Sequence, residues 1–98
     1  MKEKLIKIIN NYEVIPQLKH FNSEVFELNE AIIRYDEEEY KYIDKMEEYH
    51  KKNISEEIAD CYVMLEQFRL HYDIPAEHIK EIMEFKINRQ LERIKKGD

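Results

Sequence analysis

One glycine and two prolines in 98 residues leave this chain very few places to turn. Strands joined by tight hairpins need Gly, Asn-Gly or Asp-Gly between alternating apolar runs, and no segment shows that pattern. Apolar residues recur instead at spacings of three and four, the period of a helix with one face turned inward. The expected fold is therefore all-α: a single domain over 1–98, built as an up-and-down bundle of four helices, or five if the middle connection forms its own. A lone domain of this length buries only about 60–65% of its unfolded surface. It would gain by packing against a copy of itself, so a homo-oligomer is expected.

Helix boundaries follow from local chemistry. The first helix is expected over Glu3 to Tyr12, with Leu5, Ile8 and Ile9 inward. Pro16 suits the first turn of a second helix, where its missing N–H is not needed, and that helix runs to about Tyr35. Ser55, followed by Glu56 and Glu57, reads as the N-cap of a third helix ending near Tyr72. Pro75 opens a fourth, which runs to about Lys95 ahead of Gly97. The stretch from Asp36 to Asn53 is open between a fifth short helix, an extension of the second and a solvated acidic connection.

Charge and cysteine content narrow the function classes. The formal net charge is −6, which disfavours nucleic acid as a partner, since phosphate backbones need a basic face. The lone Cys61 excludes an internal disulfide and suits a reducing compartment. The start Met1-Lys2-Glu3-Lys4 does not resemble a secretory leader, and no run approaches the roughly 18 apolar residues of a membrane span. A cytoplasmic protein without a membrane partner is expected.

Two acid pairs carry the chemistry. Glu24 and Glu27 flank Val25-Phe26 in the second helix; Glu57 and Asp60 flank Ile58-Ala59 in the third. At about 100° per residue, Glu24 lies about 70° and Glu27 about 130° from the stripe of Leu18, Phe21, Val25, Leu28 and Ile32. Glu57 and Asp60 lie about 80° and 140° from the stripe of Ile58, Cys61, Tyr62, Leu65, Phe68 and Tyr72. One such pair is ordinarily a solvated face. Two with matched offsets place four carboxylates on the same shoulder of adjacent helices, where charge beside a core asks for a neutralising cation. Oxygen ligands point to Mg²⁺, with Mn²⁺ able to replace it. In the fourth helix Ile79, Met83, Ile87, Leu91 and Ile94 are expected to face inward. Lys86, Arg89 and Arg93 flank that face and suit phosphate oxygens, though basic residues also favour helix C-termini for dipole reasons alone.

At these residues the chain resembles the MazG-like all-α nucleoside triphosphate pyrophosphohydrolases, whose signature is E-E-x-x-E on one helix and E-x-x-D on a later one. Ser23-Glu24-Val25-Phe26-Glu27 is similar to the first and Glu57-Ile58-Ala59-Asp60 to the second. Glu56 to Gln67 and Glu84 to Arg93 resemble the small phage- and Firmicutes-type members, so the likeness spans about Gln17 to Ile94. It implies Mg²⁺ held by Glu24, Glu27, Glu57 and Asp60, with Glu24 also the candidate to orient the attacking water. It further implies a nucleoside triphosphate substrate, phosphate contacts from Lys86 and Arg89, and assembly as a homodimer or homotetramer. Ser23 departs from the signature, standing where the family has its first Glu.

Two other readings compete. A non-catalytic helical interaction module would keep the fold without the chemistry, and Ser23 favours it. A ferritin-like di-metal protein needs E-x-x-H on two helices, and only Glu47-Glu48-Tyr49-His50 offers one. His20, His71 and His78 lack the spacing of a zinc site, and Cys61 reads as a core residue.

Overall fold

The computed structural model describes residues 1–37 and 44–97. Its four helices are α1 (Lys2–Tyr12), α2 (Val14–Glu37), α3 (Asp44–His71) and α4 (Ala76–Lys95). No strand occurs among the described residues. None of their helices is long and apolar enough to cross a membrane.

Leu5 and Ile9, one turn apart on α1, are buried to 7% and 1% exposure. They press α1 against α2 and α3. The α1–α2 corner is tight: Glu13 alone separates the helices, and its amide donates to the Ile9 carbonyl at 2.8 Å. Its φ of 68° with ψ of 166° is a conformation almost confined to glycine. Helix α2 begins at Val14, two residues ahead of the expected Pro16. Proline is tolerated there because the first-turn amides have no intrahelical acceptor in any case.

The third helix starts much earlier than expected. Ser55 is not its N-cap but lies mid-helix, where its hydroxyl donates to the Lys51 carbonyl at 2.8 Å. That bond satisfies a hydroxyl inside a helix as well as a cap would. The doubtful middle segment therefore divides: 36–37 continue α2, and 44–53 are the N-terminal turns of α3. Tyr40, Ile43 and the side chain of Met46, which suggested a fifth helix, lie outside the described residues. His50 is buried within this extension, its ring edge-on to Tyr35 and Tyr49.

Helices α2 and α3 run antiparallel, as their rungs show: Gln17 meets Gln67, Phe21 meets Phe68, and Tyr35 meets Glu47. The faces that meet are turned from the expected stripes by about one residue. On α2 the interface holds Gln17, Phe21, Glu24, Leu28 and Ala31, whereas Leu18 and Ile32 are each 41% exposed. On α3 it holds His50, Glu57, Cys61, Met64 and Gln67, while Tyr62, Leu65 and Tyr72 face out. Apolar side chains thus occur on two faces of each helix. Pattern alone gave no means of choosing which face pairs with a neighbour in the same chain.

Arg69 closes α3. Its guanidinium takes both oxygens of Glu66, at 3.0 and 2.8 Å, and donates to the Ile74 carbonyl at 2.8 Å. The turn passes through Asp73 at φ 54° into Pro75, the N-cap of α4. The four expected helices are present, but the inward packing expected of the fourth needs correcting. Helix α4 buries none of its residues, and Met83, Ile87, Leu91 and Ile94, expected inward, are 54–65% exposed. Three helices form the bundle and the fourth stands off it. The radius of gyration is accordingly 17.0 Å, against about 13 Å for a compact domain of this size.

Candidate metal centre and cleft

The one-residue rotation of α2 and α3 brings acids into their interface. One oxygen each from Glu24, Glu57 and Asp60 lies within 4.8 Å of the others, the closest acid grouping of this kind among the described residues. The Glu24 side chain is 12% exposed, and His20 lies one turn below it with Nε2 at 3.2 Å. Oε2 of Glu24 and Oε2 of Glu57 are buried without a hydrogen-bond partner.

Like charges packed this way resist ionisation. Burial first, then the charges of Asp60 and Glu27, push the Glu24 carboxyl above its ordinary range, against a smaller opposing pull from His20. Burial, followed by Glu27, Asp60 and Glu24, does the same to Glu57. The Cys61 thiol, itself buried, is raised by burial and then by the charges of Glu24, Asp60 and Glu57. A thiol kept protonated is a poor nucleophile, which agrees with its place in the core.

The donor set fits a small hard cation. Ligand oxygens on Mg²⁺ sit within ~4.2 Å of one another at most, so the observed spacing closes with small side-chain adjustments. Two buried oxygens lacking donors are what such an ion would satisfy. Of the four expected ligands, Glu24, Glu57 and Asp60 come together. Glu27 is exposed and lies outside the trio, though it is near enough for its charge to raise the Glu57 carboxyl. Ser23 is also exposed, its hydroxyl directed to the Lys19 carbonyl. Glu47 and His50 are not part of this cluster.

Beside the acids a cleft of about 510 Å³ opens between α1, α2 and α3. Glu24 and Asp60 border it, with an apolar wall from Ile8, Tyr12, Val63 and Met64. Its size suits a nucleotide-sized ligand. At its far end Gln17 Nε2 donates to Gln67 Oε1 at 2.7 Å, both residues being buried. The sequence pattern had passed over this pair; the only available signal was that each Gln stands seven residues from an acid, Gln17 from Glu24 and Gln67 from Asp60.

Lys86 and Arg89 do not reach the site within one chain. Both are exposed on α4, no residue of α4 lines the cleft, and the Arg89 guanidinium stacks at 5.7 Å on the Phe85 ring. No protein-family model, curated protein or solved structure matches the chain.

Proposed function

We propose that the chain is a Mg²⁺-dependent nucleoside triphosphate pyrophosphohydrolase of the MazG-like kind. The observation that carries this reading is the trio Glu24, Glu57 and Asp60, two of which line the cleft, with two buried oxygens lacking partners. Glu24, Glu57 and Asp60 would hold Mg²⁺ or Mn²⁺, with the Glu27 charge close by. The bound ion supplies the positive charge that a protein of net charge −6 lacks toward a triphosphate. Glu24, the least exposed of the three, orients the water and accepts its proton. The water oxygen bonds to the α-phosphorus and the α–β bridging bond breaks. Pyrophosphate leaves with the bonding pair, and a nucleoside monophosphate remains.

The unpartnered apolar faces support assembly into a homodimer or homotetramer. Phe85, Leu91 and Ile94 on α4, with Phe26 and Tyr62 on α2 and α3, are 58–66% exposed. Contiguous exposed apolar surface marks interfaces. In such an assembly Lys86 and Arg89 reach phosphate oxygens from the α4 of a second copy.

The test is a pyrophosphate-release screen over ribo- and deoxyribonucleoside triphosphates with Mg²⁺. Turnover is expected from the native chain and not from Asp60→Asn, with the helical circular-dichroism signal intact in both. Full activity in that variant removes Asp60 from its role. The interaction-module reading, favoured by Ser23, predicts no turnover and no response of thermal stability to Mg²⁺.

A further inference from the structure

Resting on that reading, we infer that Gln17 and Gln67 form the nucleobase subsite, and that the pair accepts bases of either hydrogen-bonding polarity. The matched register supplies the geometry. Glu24 and Asp60 make one rung between the antiparallel helices, and Gln17 and Gln67 make another seven residues away on each. Seven residues are two turns, about 10.5 Å along the axis. That is the reach of a sugar and base from an α-phosphate held at the acids. Between the rungs the wall is formed by Val63 and Met64 of α3 and Ile8 and Tyr12 of α1, apolar surface for a sugar ring and a base face, with His20 of α2 beside Glu24.

The amide chemistry supplies the polarity. Gln17 spends one N–H on Gln67, and its own carbonyl oxygen has no protein donor among the described residues. Gln67 Nε2 has only the Met64 sulfur, at 3.7 Å. A carboxamide exchanges O for NH₂ by a half-turn about its last torsion. If both amides turn together, the bond between them is kept with Gln67 as donor. The outward atom of Gln17 then changes from acceptor to donor. As acceptor it meets the exocyclic amine of adenine or cytosine; as donor it meets the carbonyl of uracil, thymine or guanine. A site that hydrogen-bonds either setting does not reject a base on polarity.

The experiment measures binding of non-hydrolysable α,β-methylene triphosphates of adenosine, cytidine, guanosine and uridine by calorimetry with Mg²⁺, with pyrophosphate release from the ordinary triphosphates alongside. The native chain is expected to bind all four within about tenfold of one another. Gln17→Glu, which offers only acceptors, is expected to separate the adenine and cytosine analogues from uracil by at least about tenfold. The double change Gln17→Met with Gln67→Met removes both partners at similar shape, the less disruptive way to delete a buried hydrogen bond. It is expected to weaken all four analogues together and keep their ratios. Unchanged ratios in a folded Gln17→Glu protein, or a native preference beyond a hundredfold for one base, overturn the subsite. Base ratios that shift without any pyrophosphate release overturn the hydrolase reading alone. No binding of any analogue overturns the subsite, and the absence of pyrophosphate release as well overturns both.

Discussion

Replacing Glu24 by Gln should make the metal-free protein more stable, although it removes a charge at the heart of the proposed site. The reasoning starts from separation. Carboxylate oxygens of Glu24 and Asp60 lie within 4.8 Å, where two unit charges repel by between ~0.9 and ~3.5 kcal/mol for effective dielectrics of about 80 and 20. Asp60 is open to water, so the lower end applies, about 1 kcal/mol. The change also gives up the contact to His20, whose side chain is 56% exposed; such pairs contribute about 0.3 kcal/mol. The net gain of about 0.7 kcal/mol corresponds to a rise in melting temperature of about 3–6 °C for a domain of this size. With Mg²⁺ the order should reverse. A site tenfold above its Kd stabilises the native state by about 1.4 kcal/mol, or roughly 6–11 °C, and the variant has lost a ligand. Circular-dichroism melts of both proteins in EDTA and in 10 mM Mg²⁺ (chosen as about ten times a millimolar Kd) should therefore cross. A variant that melts below the native chain in EDTA, or that gains as much from Mg²⁺, refutes the account of the cluster.

The same linkage fixes a pH dependence. Glu24 and Glu57 have carboxyls raised from 4.5, so above that pH the folded state retains protons that the unfolded chain releases, and metal-free stability falls as pH rises through the raised values. The advantage of Glu24→Gln over the native chain in EDTA should vanish below pH 4.5 and grow above it; an advantage that shrinks with rising pH contradicts the sign. Glu13→Gly should relieve the φ 68° corner, about 1–3 kcal/mol of strain, against about 0.5–1 kcal/mol for the added freedom of the unfolded chain; urea unfolding should show the midpoint rise, and a fall would mean the corner is unstrained. Leu91→Glu on the exposed face of α4 should lower the mass found by sedimentation velocity while leaving helix content unchanged, and a native chain that already sediments as a monomer removes the assembly from the proposal.

Helix content was legible because scarce glycine and proline and a period near 3.6 leave little else. The acids were legible too: Glu24, Glu57 and Asp60 do gather. What could not be read was rotation. Helix α2 carries Leu18, Val25 and Ile32 on one side and Phe21, Leu28 and Ala31 on the next, and either stripe satisfies an amphipathic pattern. The choice between them is made by the neighbour, here Met64, Cys61 and Phe68 of α3 and Leu5 and Ile9 of α1. The start of α3 was misplaced for a related reason. Ser55 has an N-cap's chemistry, but an upstream run of helix formers lets its hydroxyl bond back to Lys51 instead. The failure of α4 to pack was illegible on principle, since an apolar face is the same string whether it meets its own chain or another.

The rotation also explains why the interface of α2 and α3 is so poor in hydrocarbon. Turning both helices by one residue buries Gln17 and Gln67 where Leu18 and Leu65 were available. Fully buried hydrophobic side chains among the described residues reduce to Leu5, Ile9, Ala31, Cys61 and Met64. Each polar group in their place contributes less than the aliphatic alternative, and the carboxylates repel. A chain selected for stability alone would pair its stronger stripes. This one leaves Leu18, Ile32, Tyr62 and Leu65 outward and keeps its polar rungs between the helices, which is the arrangement expected if the rungs serve a ligand and the outer apolar residues serve a second copy. The two uses would then be linked: a protomer this thin in core would gain stability from both the ion and the partner. Metal removal and dissociation should each lower the melting temperature, and should do so more than additively when combined, because the same pair of helices answers to both.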